Sequence, residues 1–117
     1  MRTIRTSARR LASTLRALPD ADDAARLYAW RRWRDESGAV LTEISKGIAV
    51  KKPACPTLVI VGDQDTDIPP STGRAIAREL NADLTEFEGM SHLGPLLGTR
   101  APEVAQSVLA WLEANIR

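Results

Sequence analysis

The chain has 117 residues, 44% of them apolar and 26% charged, with 16 Lys and Arg against 15 Asp and Glu for a formal net charge of +1. That length suits one domain of ordinary globular composition, and the balanced charge excludes a global field that would gather nucleic acid or an anionic membrane. One cysteine, Cys55, excludes an internal disulfide and a thiolate cluster, and one histidine, His92, leaves a zinc site short of nitrogen ligands. No metal and no cofactor are therefore expected.

Residues 1–19 carry Arg2, Arg5, Arg9, Arg10 and Arg16, several Ser and Thr, and no acid, which is the character of an organellar transit helix. The other reading is a surface helix, because Ile4, Ala8, Leu11, Leu15 and Leu18 make one apolar stripe at helical spacing. Pro19 stops this helix near Leu18, and Asp20 can cap a new start. A second helix is predicted from Ala21 to Arg34, with Ala24, Leu27, Tyr28 and Trp30 inward and Asp22 and Asp23 at the positive end of its dipole. Trp30 and Trp33 lie among Arg31, Arg32 and Arg34, a combination that can stack on bases. The net charge favours tryptophans that pack while the arginines reach water, so nucleic acid is not an expected partner. A third helix is predicted from Ser37 or Gly38 to Lys46, with Val40, Leu41 and Ile44 on one face and Gly47 as its left-handed stop.

After the Pro53 and Pro56 linker the composition turns β-branched. Residues 57–61 are apolar on consecutive positions, the pattern of a strand buried on both faces of a parallel sheet. A crossover helix should follow, capped by Ser71 after Pro69 and Pro70, burying Ala75, Ile76, Ala77 and Leu80, and ending at Asn81. Residues 83–87 make a second strand, and a last helix runs from Pro102 through Val104, Val108, Leu112 and Ile116. No apolar run approaches the roughly 18 residues of a membrane span, so a soluble, cytoplasmic chain without a membrane partner is expected.

Parallel strands joined by a crossover end at the same sheet edge, where sites of α/β folds form. Asp65 follows the first strand and His92 the second. With strands about 4.8 Å apart, short loops can bring that carboxylate to the imidazole, and an aspartate so placed fixes the tautomer of a general base. Three other readings compete. Asp63, Asp65 and Asp67 also suit a turn that bonds its own backbone, or the opening of a calcium loop, although Ile68 stands where that loop requires Gly. His92 also suits a solvent-facing place in a Gly-rich turn.

The strings Gly62-Asp63-Gln64-Asp65-Thr66-Asp67-Ile68-Pro69 and Gly89-Met90-Ser91-His92, in this order and with a helix between their strands, resemble the C-terminal segment of an α/β-hydrolase. The resemblance covers residues 49–117 and implies an α/β fold, an incomplete hydrolase-like unit in which N-terminal helices precede a parallel β-α-β-α. It also implies that Asp65 is the triad acid, ahead of Asp63 by spacing, and that His92 is the triad histidine. Residues 1–48 are similar in position and character to the lid of such enzymes, with Trp30, Trp33 and Tyr28 as lining for a substrate pocket. The family's Gly-x-Ser-x-Gly elbow and its Asp and Cys variants do not occur in the chain, and Ser91, next to the histidine in a turn, should point away from it. The implied function is to supply acid and base for hydrolysis of an ester or similar small molecule once a nucleophile-bearing portion completes the site. Serine there suits esters, lactones or carbon–carbon bonds, and aspartate suits epoxides or haloalkanes. Because two strands and their helices leave apolar faces uncovered, a homo-oligomer or a complementary hydrolase fragment is the expected partner. The competing class is a non-catalytic remnant or an oligomerisation or binding module.

Overall fold

The β-branched run at 57–61 forms a strand, β3 (Leu58–Gly62), which pairs in parallel with β4 (Asp83–Phe87), Leu58 opposite Asp83 and Gly62 opposite Phe87. This computed structural model describes residues 3–4, 11–34 and 36–116. Along the chain the elements are β1 (Thr3–Ile4), α1 (Leu11–Ala17), α2 (Asp23–Arg32), β2 (Glu36–Ser37), α3 (Gly38–Ser45), β3, α4 (Pro70–Leu80), β4, α5 (Gly94–Leu97) and α6 (Ala101–Asn115). The mixture of helices with a two-stranded parallel sheet is an α/β arrangement. Among the described residues β1 and β2 form a separate antiparallel pair.

The parallel unit follows the sequence pattern closely. Residues 51–56 are exposed and belong to no element, in keeping with their prolines. α4 stops at Asn81, whose φ of 54° is the left-handed conformation that asparagine tolerates. Its start differs from expectation: the N-cap is Pro69, with no side-chain bond, and Pro70 rather than Ser71 opens the helix. A proline fits the first turn because the N–H it lacks has no helical partner. The buried strip of α4 is also narrower than predicted. Gly73 and Ala77 are buried, whereas Ala75 and Ile76 face water, because a helix laid on two strands meets a sheet little wider than itself. Gly73 lets the helix approach, since a Cβ there would strike the Val61 side chain. On the opposite side α6 packs through Val104 and Val108 on Phe87, Met90 and Ile60.

The N-terminal helices keep their approximate places but not their predicted faces. Thr3 and Ile4 are extended and pair with Glu36 and Ser37, so Ile4 does not share a helix with Leu11; Ala8 lies outside the described residues. On α1 the buried residues are Thr14 and, just beyond its end, Leu18, while Leu11 and Leu15 are exposed. Thr14 goes inside because its hydroxyl accepts the Trp33 indole N–H at 2.8 Å, which satisfies two polar groups at once. α2 is capped by Asp22, whose carboxylate accepts the Ala25 amide at 2.8 Å, and not by Asp20. Its buried residue is Ala29, while Ala24, Tyr28 and Trp30 are exposed. α3 begins after the Ser37 cap and ends before Gly47, φ 83°, as its sequence requires, but Val40, Leu41 and Ile44 remain exposed. Leu18, Ala21 and Ala29 form a second apolar cluster, which reaches the parallel unit through Leu93 and Leu97. No helix among the described residues is long and apolar enough to cross a membrane.

Gly62 sits where β3 passes under the His92-bearing loop, and a Cβ there would meet the carbonyl oxygens of Met90 and Ser91, the latter at 2.7 Å. Gly62→Ala is therefore expected to destabilise the chain by roughly 1–3 kcal/mol, the usual cost of inserting a methyl group into a closed contact. Urea unfolding checks this, and an unchanged midpoint would mean that strand and loop are further apart than described.

Candidate functional site

Parallel pairing sets the C-terminal ends of β3 and β4 side by side, and the loops that leave them are joined by backbone and carboxylate bonds. Asp63 donates its amide to Phe87 O at 3.0 Å, and Gln64 donates its amide to Met90 O at 3.0 Å. The Asp63 carboxylate accepts the Gly89 amide at 2.7 Å, holding a turn that glycine enters with φ 74°. Asp63 is thereby occupied in joining the loops, and Asp65 is the acid that reaches the histidine.

Asp65 folds back over its own loop. Its Oδ1 accepts the amides of Asp67 and Ile68 at 2.9 and 2.8 Å, and its Oδ2 lies 2.7 Å from His92 Nδ1. Only 9% of the Asp65 side chain is exposed, against 37% of the His92 side chain. Burial alone would raise the Asp65 carboxyl, but the Ile68 amide, the His92 ring and the Asp67 amide all favour its anion and together hold it below the ordinary carboxylate value. An ionised carboxylate can only accept, so Nδ1 carries a proton, and in the neutral imidazole Nε2 then presents a lone pair. Among the described residues no hydrogen bond to Nε2 is formed. In that neutral form the second ring nitrogen is open to a proton.

Three clefts have His92 on their walls. A largely apolar one of about 750 Å³ lies between β3, α5 and α6, with Ile60, Pro95, Leu96, Val108 and Leu112 among its lining. A mixed polar and apolar one of about 500 Å³ sets Ser13, Arg16, Ala17 and Pro19 opposite Gln64, Thr66, Asp67 and Ser91. A narrow one of about 190 Å³ follows β3 from Val59 to Gly62 on the side away from β4, with Asp65 and Ile68 at its end. Tyr28, Trp30 and Trp33, expected beside a substrate pocket, line none of these three. Trp33 is half-buried beside the Leu18 cluster with its indole on Thr14, and Tyr28 is exposed beneath the Arg32 guanidinium, 3.6 Å from its ring centroid. Trp30 is at the surface of α2.

Ser91 points away from His92, as its place in the turn implies. Its hydroxyl donates to Asp20 Oδ1 at 2.5 Å and accepts the Gly94 amide at 3.1 Å, so its one proton is already committed. Among the described residues no group of three acidic, histidine or cysteine side chains is placed to hold a metal ion, and Asp63 and Asp65 are engaged with amides instead. The partnership of Asp20 with the His92 loop was not legible from local spacing, because its partners lie 71 positions away. No protein-family model, no curated protein and no solved structure matches the chain.

The Asp65 shift has a definite sign. A carboxyl whose folded value is depressed takes up its proton first in the unfolded chain, so its contribution is complete above the ordinary carboxylate range and is lost as pH falls through the folded value. In Asp65→Asn that part of the acid-range pH dependence should vanish, with stability above pH 5 lower by about 1–3 kcal/mol for the lost charge-assisted bonds. Chemical unfolding as a function of pH compares the two, and parallel curves would show that folding does not depress the Asp65 carboxyl.

Proposed function

We propose that Asp65 and His92 are the acid and general base of a nucleophilic hydrolase site, and that the chain supplies them to a site completed by a nucleophile from outside its described residues. The observation that carries this reading is the 2.7 Å contact between Asp65 Oδ2 and His92 Nδ1 at the C-terminal edge of two parallel strands, with Nε2 unpartnered among those residues. Asp65 orients the ring and stabilises the imidazolium. With a serine nucleophile His92 Nε2 takes the hydroxyl proton and gives it to the leaving group; with an aspartate nucleophile, which has no proton to lose, it takes the proton of the water that cleaves the covalent ester intermediate. The resemblance of the two loop strings to the end of an α/β-hydrolase supports the same assignment and suggests an ester or similar small molecule as substrate. A serine nucleophile would direct the site to esters, lactones or carbon–carbon bonds, and an aspartate to epoxides or haloalkanes.

A second reading is favoured by one observation. The parallel sheet has two strands, and α3, α6 and the residue after α6 expose Val40, Leu41, Ile44, Leu109, Leu112 and Ile116, which is more apolar surface than a solitary catalytic unit needs. In that reading the chain is a non-catalytic oligomerisation or binding module, or a remnant, and the dyad is a structural clasp between its loops. The residues 1–48 helices are lid-like in the first reading and part of the interface in the second. A homo-oligomer or a complementary hydrolase fragment is the partner of either.

Native mass spectrometry of the protein gently isolated from its source, followed by activated-ester hydrolysis, separates the readings. The isolated 117-residue chain is expected to hydrolyse p-nitrophenyl acetate no faster than free imidazole. The native assembly should contain a longer chain or a companion with a strand followed by Gly-x-Ser-x-Gly, or with Asp in the serine's place. Its turnover should fall about a thousandfold or more in His92→Ala and Asp65→Asn. A chain that binds only itself and whose hydrolysis is indifferent to His92 would overturn the hydrolase reading. Saturable, His92-dependent turnover by the isolated chain would instead place the nucleophile within these residues.

A further inference from the structure

We propose that Asp20, on the turn between α1 and α2, is a positioning residue for His92, holding the imidazole-bearing loop from the helical segment through Ser91. The inference rests on His92 being the base of the proposed site. With Asp22 capping α2, the Asp20 side chain is left to face the parallel unit. Its Oδ2 accepts the Ser91 amide at 2.8 Å and its Oδ1 accepts the Ser91 hydroxyl at 2.5 Å, so one carboxylate grips backbone and side chain of the residue before the histidine. The Ser91 hydroxyl accepts the Gly94 amide at 3.1 Å, and the Asp20 carbonyl accepts the Thr99 amide at 2.9 Å. Asp20 thus holds residues 91–99 at both ends.

The surroundings leave this carboxylate little freedom. A Cβ on Gly94 would collide with it, and one on Gly98 would lie 3.0 Å from the Asp20 carbonyl oxygen, so two glycines admit Asp20 to the concave side of the loop. Ser91 is 6% exposed, and its amide and its hydroxyl proton would both lose their acceptor if the carboxylate were removed. A buried polar group left without a partner costs about 1–3 kcal/mol, enough to let the 90–92 backbone choose another geometry. The His92 side chain is then anchored by Asp65 alone, on a loop still fixed before it by the Asp63 to Gly89 and Gln64 to Met90 bonds. The distinctive consequence is that a residue that touches neither Asp65 nor the imidazole decides whether the ring meets Asp65.

His92 is the only histidine of the chain, so imidazole ¹H–¹⁵N spectra of the full protein near neutral pH read this ring alone. The wild type is expected to show the Nδ1-protonated tautomer with a low-field Nδ1 proton, and Asp65→Asn to lose that signal. Asp20→Ala should lose it as well while retaining the wild-type methyl spectrum, and Asp20→Asn, which keeps an acceptor for Ser91, should recover it. If Asp65→Asn removes the signal and folded Asp20→Ala leaves it in place, the positioning role is wrong and the dyad stands. If Asp65→Asn has no effect, the dyad itself is wrong. Should Asp20→Ala unfold the chain, Ser91→Ala and the Ser91 amide exchange rate of the wild type replace it: an unmoved signal in Ser91→Ala or an unprotected Ser91 amide overturns the proposal.

Discussion

Parallel pairing of β3 with β4 is the constraint on which the rest of the structure depends. A parallel pair cannot be closed by a tight turn, so the chain must cross over, and α4 is that crossover. The crossover returns the chain to the edge from which it started, and the ends of both strands then coincide, Gly62 opposite Phe87. Asp65 lies three residues beyond one end and His92 five beyond the other, which is within reach of a side-chain hydrogen bond only because the strands run the same way. An antiparallel pair of the same segments would set the two motifs at opposite ends of the sheet, some 17 Å apart for strands of this length.

Division of labour among neighbouring polar side chains then makes the site specific. Three acids, Asp20, Asp63 and Asp65, surround the two loops, and each takes a different job: Asp63 closes the Gly89 turn, Asp20 holds Ser91, and Asp65 meets the ring. The amides of Asp67 and Ile68 stabilise the Asp65 anion in the resting fold, so in the proposed function little reorganisation would be left for proton transfer. Among the described residues no buried side-chain nitrogen or oxygen is left without a partner. Polar networks of this kind specify one geometry only when every member is satisfied.

How much of this the sequence reveals depends on the range of the interaction concerned. β3, α4, β4 and α6 are legible because their signals are local: consecutive apolar residues, prolines at a helix start, asparagine at its end. The Asp65 and His92 pairing is legible because strand ends convert a long sequence separation into a short one. Helix faces are less legible. Leu11, Leu15 and Ile76 sit on plausible apolar stripes yet are exposed, since a stripe records what a helix could bury and not whether a layer is there to cover it. Thr14 and Trp33, and Asp20 and Ser91, are invisible to pattern because each is a polar pair across the fold, 19 and 71 positions apart. The four-residue α5 is too short to show a period of its own.

Exposed apolar surface bears on the proposed site as well as on stability. Fully covering a leucine, isoleucine or valine yields about 1.5–3 kcal/mol, and the exposed residues of α3 and α6 include several that are only half covered. A two-stranded sheet is marginal by itself, and β3, apolar at Leu58, Val59, Ile60 and Val61, has the composition of a strand with neighbours on both sides. The cleft that follows β3 away from β4 runs to Asp65 and His92. In the proposed function, whatever covers β3 along that side would extend the sheet toward the free Nε2, where a nucleophile is required. Completion of the sheet and completion of the chemistry then become one event, and a partner too short to reach His92 would stabilise the fold without giving it an activity.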